Sequence, residues 1–163
     1  MPCSRGTGRK KNELRWNADE HPRDEKGRFV SKGSLSVTDQ RKIAVRKLKK
    51  KAGVYQNKNT GEKATLGKSG IEKMTSGKAL FMSTKNGFKA VHHFETVEKI
   101  NTLFQKAVYV KTEHDFYNRK DVLHFKKYET KFKTRDGVRC KAYITIKETS
   151  QGGNVFYSVE LRK

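Results

Sequence analysis

The hydrophobic periodicity of this chain changes once, from a helical spacing to a strand spacing, and this change restricts the fold more than any other feature. Between residues 88 and 104, apolar side chains recur every three or four positions, which is typical of a helix with one buried face. From residue 107 onward apolar and polar residues alternate, which predicts strands at 107–112, 122–133, 138–148 and 154–162. Asp136-Gly137 and Gly152-Gly153 lie where tight hairpin turns are expected.

A shorter helix is predicted before the long one. Ser69 and Glu72 have the spacing of a capping box, and Gly77 can end a helix that covers residues 70–76. A short extended stretch at 63–67 precedes it. The predicted order is therefore β-α-α-β-β-β-β, an α+β fold in which two helices pack on one face of a four-stranded antiparallel meander.

The charge of the chain points to an anionic partner. Its 163 residues include 38 Lys and Arg against 17 Asp and Glu, a formal net charge of +21. Nucleic acid fits such an excess, because neutralised phosphates release counterions. The alternative is a charged, solvated surface without a specific partner. No segment has enough consecutive apolar residues to span a membrane.

The basic residues are unevenly placed. Residues 1–51 hold 16 Lys and Arg, 6 Asp and Glu, and few apolar side chains, so we predict that 1–52 is a largely disordered basic arm. A short helix is expected at 38–51 within this arm, and 53–163 is expected to be the folded domain. Arg46, Lys49, Lys50 and Lys51 of that helix can follow a phosphate backbone, although a solvated helix explains them equally well.

The alternation also predicts which side chains point away from the helices. The third strand directs Cys140, Ala142, Ile144 and Ile146 inward. In the other strands we expect the inward residues to be Val108, Val110, Leu123, Phe125, Val155, Tyr157, Val159 and Leu161. The exposed face then collects cations and aromatic rings suited to phosphates and unpaired bases, and its predicted nucleic-acid contacts are Lys111, Lys126, Tyr128, Lys141, Tyr143 and Phe156.

The same face suggests an acid–base pair. His124 and Glu160 are predicted to share it, with Arg139 and Lys147 as the cations that stabilise a charged phosphorane. These four residues are the candidate catalytic group for RNA cleavage. The alternative to a catalytic group is that these residues form the polar, solvated face that any open antiparallel sheet has.

Other histidines are weighed separately. The loop after the first meander strand offers a second candidate site, formed by His114, Tyr117 and Arg119. His92 and His93 lie on the long helix, where a boundary or capping role is favoured over catalysis. Cys3 and Cys140 are far apart and lack zinc-site spacing, so no metal and no cofactor are expected.

Two segments resemble known families. The sequence at 21–30, with the motif PRDEKGRF, is similar to a linker of tailed-phage head-morphogenesis proteins. Residues 55–163, with the motifs LGKSGIEKM and AYITIKE and the terminal NVFYSVEL, resemble the phage-associated branch of barnase–EndoU–colicin–RelE-like (BECR) nucleases. Polyvalent-protein-associated domains are related to this branch.

The resemblance implies a metal-independent ribonuclease that works on the open sheet face. Many members carry a histidine in the first helix, where this chain has Lys73 and Met74, so the resemblance assigns no catalytic residue. We expect a domain of phage or mobile-element origin that binds RNA in preference to DNA and cleaves it. The alternative is a non-catalytic nucleic-acid-binding phage protein, either associated with the virion or an anti-defence inhibitor of a host nucleoprotein. A host or phage ribonucleoprotein is a further candidate partner. Both readings place it in the host cytoplasm or the virion, without a membrane partner.

Overall fold

A computed structural model describes residues 35–163. The arm predicted at 1–34 lies outside the described residues, and its disorder stays a prediction. The α+β class is confirmed. The helices in the described part of the chain are α1 (Val37–Lys50), α2 (Lys68–Met74), α3 (Gly77–Lys85), α4 (Ala90–Glu98) and α5 (Ile100–Lys106). The strands are β1 (Gly53–Gln56), β2 (Lys63–Leu66), β3 (Val108–His114), β4 (Val122–Lys133), β5 (Arg139–Thr149) and β6 (Asn154–Arg162).

The strands form one sheet in the order β1-β2-β6-β5-β4-β3. The four-stranded antiparallel meander is present as β3 to β6, and its last two turns place Gly137 and Gly152 at positive φ. The β1–β2 hairpin extends the sheet through one parallel pairing, between Thr65 and Val155. Of this hairpin only the β2 stretch was foreseen from the sequence.

The helices cover one face of the sheet and enclose the core. Phe104 and Phe156 meet edge to face at 5.0 Å between ring centroids, and Tyr128 packs on Phe104 at 5.1 Å. These three side chains are at most 1 % exposed. Leu48 of α1 belongs to the same core, so α1 packs with the elements that follow residue 53.

The helical layer differs from the prediction in three places. The long helix is divided at Lys99, which caps both α4 and α5. Because the sheet is twisted, one straight helix would diverge from it. The bend at Lys99 keeps Ile100 and Phe104 buried against the sheet. An additional helix, α3, precedes it, and α2 starts after Gly67 without a side-chain cap, so the predicted capping box at Ser69 is wrong.

Bulges alter the predicted alternation in three strands. The pairing registers skip Val110 in β3, Leu123 in β4 and Tyr157 in β6. One inserted residue shifts the alternation of a strand by one position, so the side chains beyond it point to the opposite face of the sheet. As a result Val108 and Val110 are exposed, Phe125 and Tyr157 face away from the helices, and Phe156 turns into the core. The β5 assignment is confirmed, as are Val159 and Leu161.

Candidate nucleic-acid interface

The sheet face turned away from the helices, called here the open face, is strongly basic. Register pairing assigns eight cations and three carboxylates of the strands to it. The cations are Lys111, Lys127, Lys131, Lys133, Arg139, Lys141, Lys147 and Arg162, and the carboxylates are Glu113, Glu129 and Glu160. Glu113 and Glu160 each pair with a neighbouring cation, at 2.7 Å to Lys111 and 2.6 Å to Arg162. The excess positive charge attracts polyanions to this face.

One group of cations is centred on Tyr143, the residue of β5 opposite Glu160. The guanidinium carbon of Arg162 lies 3.6 Å from the ring centroid of Tyr143, and the ammonium of Lys127 lies 5.9 Å from it. Lys127 also donates a 2.8 Å hydrogen bond to Thr145, and burial lowers the pKa of Lys127. Arg162 is thus held by the Tyr143 ring together with Glu160, and Lys127 by the same ring and the Thr145 hydroxyl, with Glu113 at 3.9 Å.

A second group is centred on Tyr157, the bulge residue of β6. Its ring is 4.9 Å from that of Phe125, with Lys73 at 5.0 Å and Lys147 at 5.8 Å from its centroid. Burial raises the pKa of the Tyr157 phenol, but the hydrogen bond from Arg119 and the charge of Lys73 lower it more, so the net pKa is below its ordinary value. Arg119 and Lys73 thus favour the phenolate, the form of tyrosine that accepts a proton, more than bulk solvent does.

Arg119 reaches this group from the β3–β4 loop. Its guanidinium makes two hydrogen bonds to Asp115, of 3.0 and 3.1 Å, and its backbone N–H donates a third of 2.8 Å. The Arg119 bonds lower the pKa of Asp115 to about 2, with a further backbone bond from Tyr117. Arg119 also lies 5.6 Å from the centroid of Phe125. The ion pair therefore fixes a cation at the edge of the open face.

Several residues predicted from the sequence lie on the open face. They are Lys111, Arg139, Lys141, Tyr143, Lys147 and Glu160. They do not form one cleft, because Arg139 and Lys147 begin and nearly end the same strand. Eight residues of strand separate them by roughly 26 Å at about 3.3 Å per residue.

Four other predicted site residues face the helices. Tyr128 and Phe156 are core residues at 1 % exposure. Lys126 is held between Glu62 at 2.6 Å and Glu148 at 2.8 Å. His124 pairs with Glu148 at 3.2 Å, so the expectation that His124 and Glu160 share a face is wrong. The bulge at Leu123 explains the error for β4, and the bulge at Tyr157 explains it for Phe156.

The structure places the remaining candidates away from the open face. Arg46, Lys49, Lys50 and Lys51 lie on or directly after α1, in the helical layer, where Lys51 donates to the carbonyl of Glu98. His114 contacts Asn118 at 2.6 Å and is paired in register with His124. Of the second candidate site, only Arg119 reaches the open face.

His92 of α4 has the capping role that was expected, whereas His93 lies inside the protein instead of at the boundary of the apolar face. His92 Nδ1 accepts the backbone N–H of Lys89, which caps the helix, and Nε2 contacts Asp136 at 2.9 Å. His93 is fully buried between Ser83 and the carbonyl of Met74. Neither histidine faces the open sheet.

Within residues 35–163 no group of three or more His, Cys, Asp or Glu could hold a metal ion. No helix in this described range is long and apolar enough to cross a membrane.

Comparison with known families gives one match. A family model described as large polyvalent protein-associated domain 3 covers residues 36–157. The chain belongs to this family. Membership supports the phage association expected from the sequence, but it does not identify a BECR nuclease. No curated protein and no solved structure matches the chain.

In this member of the family, sequence reasoning missed the residues that organise the open face. Phe125 and Tyr157 were assigned to the core, Lys127 was left without a role, and Lys73 was placed on a helix with no link to the sheet. Tyr157 gave no recognisable signal, because a bulge inside an apolar–polar alternation leaves the composition unchanged. Arg162 was not recognised as a partner of Tyr143, because the two residues make a diagonal contact across neighbouring strands.

Proposed function

We propose that this chain binds single-stranded RNA along the open face of its sheet. The observation that carries the proposal is the concentration of eight strand cations on the open face, where Arg162 is fixed over the ring of Tyr143 and Lys73 over that of Tyr157. Cations neutralise phosphates. Tyr143 is 6 % exposed and Phe125 is 8 % exposed, so their rings support the cations, and the partly exposed ring of Tyr157 is the open-face ring that an unpaired base can reach. Ser158 adds a hydroxyl on the same face, and such a group can contact the ribose 2′-hydroxyl that distinguishes RNA from DNA.

Removal of two cations from the open face tests this proposal. We expect Lys141→Ala/Arg162→Ala to weaken binding of a labelled single-stranded RNA by tenfold or more, measured by fluorescence anisotropy. The slope of log affinity against log salt should fall by about 1.4, since each lost phosphate contact contributes about 0.7 for a single strand.

The matched control removes two exposed cations from α1, with Lys42→Ala/Lys49→Ala. This variant loses the same charge and should keep most of the affinity. Equal losses in the two variants would show that net charge alone drives binding, and a larger loss in the α1 variant would move the interface to the helical layer. A single-stranded DNA of the same sequence shows how far the 2′-hydroxyl contributes.

A second candidate function is cleavage of the bound RNA, favoured by the lowered pKa of Tyr157 among three cations. The Tyr157 phenolate would accept the proton of a 2′-hydroxyl, and the 2′-oxygen would bond to phosphorus as the bond to the 5′-oxygen breaks. Lys147 would protonate the departing oxygen, and Arg119 would stabilise the phosphorane charge. The products are a 2′,3′-cyclic phosphate and a 5′-hydroxyl.

The hydroxyl of Tyr157 is the group to remove. We expect Tyr157→Phe to reduce cleavage in EDTA by about a hundredfold or more, while RNA affinity stays within a few fold because the ring remains. In the parent protein the rate should rise with pH up to the pKa of Tyr157, which lies below 10, because only the deprotonated phenol can act as a base.

His124→Ala is the informative control, because His124 faces the helices. It should cleave like the parent protein. Cleavage that survives Tyr157→Phe but is lost in His124→Ala contradicts the assignment. Binding without any cleavage at enzyme excess overturns the enzyme and leaves a non-catalytic RNA-binding domain.

A further inference from the structure

The β3–β4 loop carries two large aromatic side chains that the open-face groups do not use. Phe116 is 88 % exposed and Tyr117 is 73 % exposed, and their rings meet edge to face at 5.3 Å. Single exposed apolar residues are ordinary on protein surfaces. Two neighbouring rings at the tip of one loop, beside a cation of the open face, form a surface whose role the preceding functions leave unassigned.

This loop is internally fixed. The carboxylate of Asp115 is only 1 % exposed and accepts the backbone N–H groups of Tyr117 and Arg119, at 3.2 and 2.8 Å. Asn118 adopts a positive φ of 50° and contacts His114 at 2.6 Å. The loop is therefore ordered without a ligand, so a ligand that contacts its rings loses little conformational entropy on binding.

Arg119 joins the exposed rings to the open face. Its guanidinium carbon lies 5.8 Å from the ring centroid of Tyr117 on one side and 5.6 Å from that of Phe125 on the other. The separation between the Tyr117 ring and the Arg119 guanidinium allows one nucleotide to place its base on the ring and its phosphate near the guanidinium. The charges of Arg119 and Asp115 largely offset each other, so this ion pair neither strongly attracts nor strongly repels an incoming phosphate.

We propose that Phe116 and Tyr117 form a stacking site for an unpaired base at one end of the RNA path across the open face. This rests on the proposed RNA binding and adds a substrate class to it: RNA with unpaired nucleotides next to the segment held by the sheet. Bases in a duplex are stacked on one another and cannot occupy the two rings. The loop thus makes the domain selective for single strands.

The test compares a single-stranded RNA with a hairpin duplex of the same composition, bound to the full chain at one salt concentration. We expect Phe116→Ala/Tyr117→Ala to lose about tenfold in affinity for the single strand and to bind the duplex unchanged. The salt slope should stay the same, because no phosphate contact is removed. Phe116→Leu/Tyr117→Leu keeps the apolar surface without rings and should lose as much.

Phe81→Ala is the matched control. Phe81 is 60 % exposed on α3, and its removal should leave both affinities unchanged. An unaltered preference for single strands in the alanine pair overturns the stacking site while RNA binding stands. Full binding by the leucine pair also overturns it, since this indicates an apolar docking surface such as a protein partner would use. A parent protein that binds neither RNA overturns both this inference and the proposed function.

Discussion

At the scale of single residues, Gly70 shows how closely the helical layer meets the edge of the sheet. A Cβ built on Gly70 would lie 2.4 Å from the carbonyl oxygen of Phe156. The contact involves backbone on both sides, so no side-chain rotation can relieve it. α2 can approach β6 this closely only because position 70 has no side chain. This approach brings Lys73, one turn later, over the ring of Tyr157.

We therefore expect Gly70→Ala to lower the free energy of unfolding by about 2 kcal/mol, although alanine is the better helix former. Urea denaturation checks this. Gly77→Ala, in α3, is the control, because no atom lies within 4 Å of its added Cβ, and it should be neutral or slightly stabilising. A stabilised Gly70→Ala variant would show that α2 does not rest on β6.

At the scale of elements, a buried hydrogen-bonded chain joins three helices to the last strand. The N–H of Leu161 in β6 donates to Ser83 Oγ in α3 at 3.0 Å, and Ser83 contacts His93 Nδ1 in α4 at 2.8 Å. His93 Nε2 donates to the carbonyl of Met74 in α2 at 2.9 Å. This arrangement needs a neutral imidazole, since Nδ1 must accept. Burial lowers the pKa of His93 to about 4, and the charge of Arg41 contributes.

Because this hydrogen-bonded chain needs a neutral His93, we expect the protein to lose stability in mild acid. The pKa of His93 is lower in the folded state than its ordinary value of 6.5, so the unfolded state binds the proton first. Stability is full above pH 6.5 and falls by at most about 3 kcal/mol as the pH drops toward 4. Urea midpoints at pH 7 and pH 5 measure the difference.

His93→Gln should be less stable at pH 7 and show a flatter dependence between these two pH values. An unchanged slope in His93→Gln would assign the acid sensitivity to other groups.

The elements also show what could be predicted from the sequence. The four meander strands were found because each has several apolar–polar repeats, and β5 was assigned to the correct faces throughout because it contains no inserted residue. The two faces of β4 were exchanged in the prediction. The bulge at Leu123 shifts the alternation by one residue, and lysines occur on both faces of the strand, so the sequence does not mark the inward side. β1 is too short to show a period. The residues predicted for the open face depended on which alternating positions of each strand were taken to point outward. For this reason His124 and Phe156 were assigned to the wrong face, whereas Tyr143 and Lys147 were assigned correctly.

At the scale of the whole molecule, the two faces of the sheet in the described domain differ in burial and in charge. One face of the sheet is buried under five helices and supplies stability, and the other presents eight strand cations beside Tyr143, Tyr157 and Phe125. The cations of α1 lie in the helical layer. A polyanion that binds by charge alone could use either surface, whereas one that also stacks an unpaired base is directed to the partly exposed ring of Tyr157 on the open face.

The most direct measurement is therefore the acetylation rate of individual lysines with and without bound single-stranded RNA, read by mass spectrometry. We expect bound RNA to protect Lys141 and Lys147 on the open face, while Lys42 and Lys49 of α1 react as in the free protein. Protection confined to α1, with Lys141 and Lys147 reacting at their free rates, would contradict it.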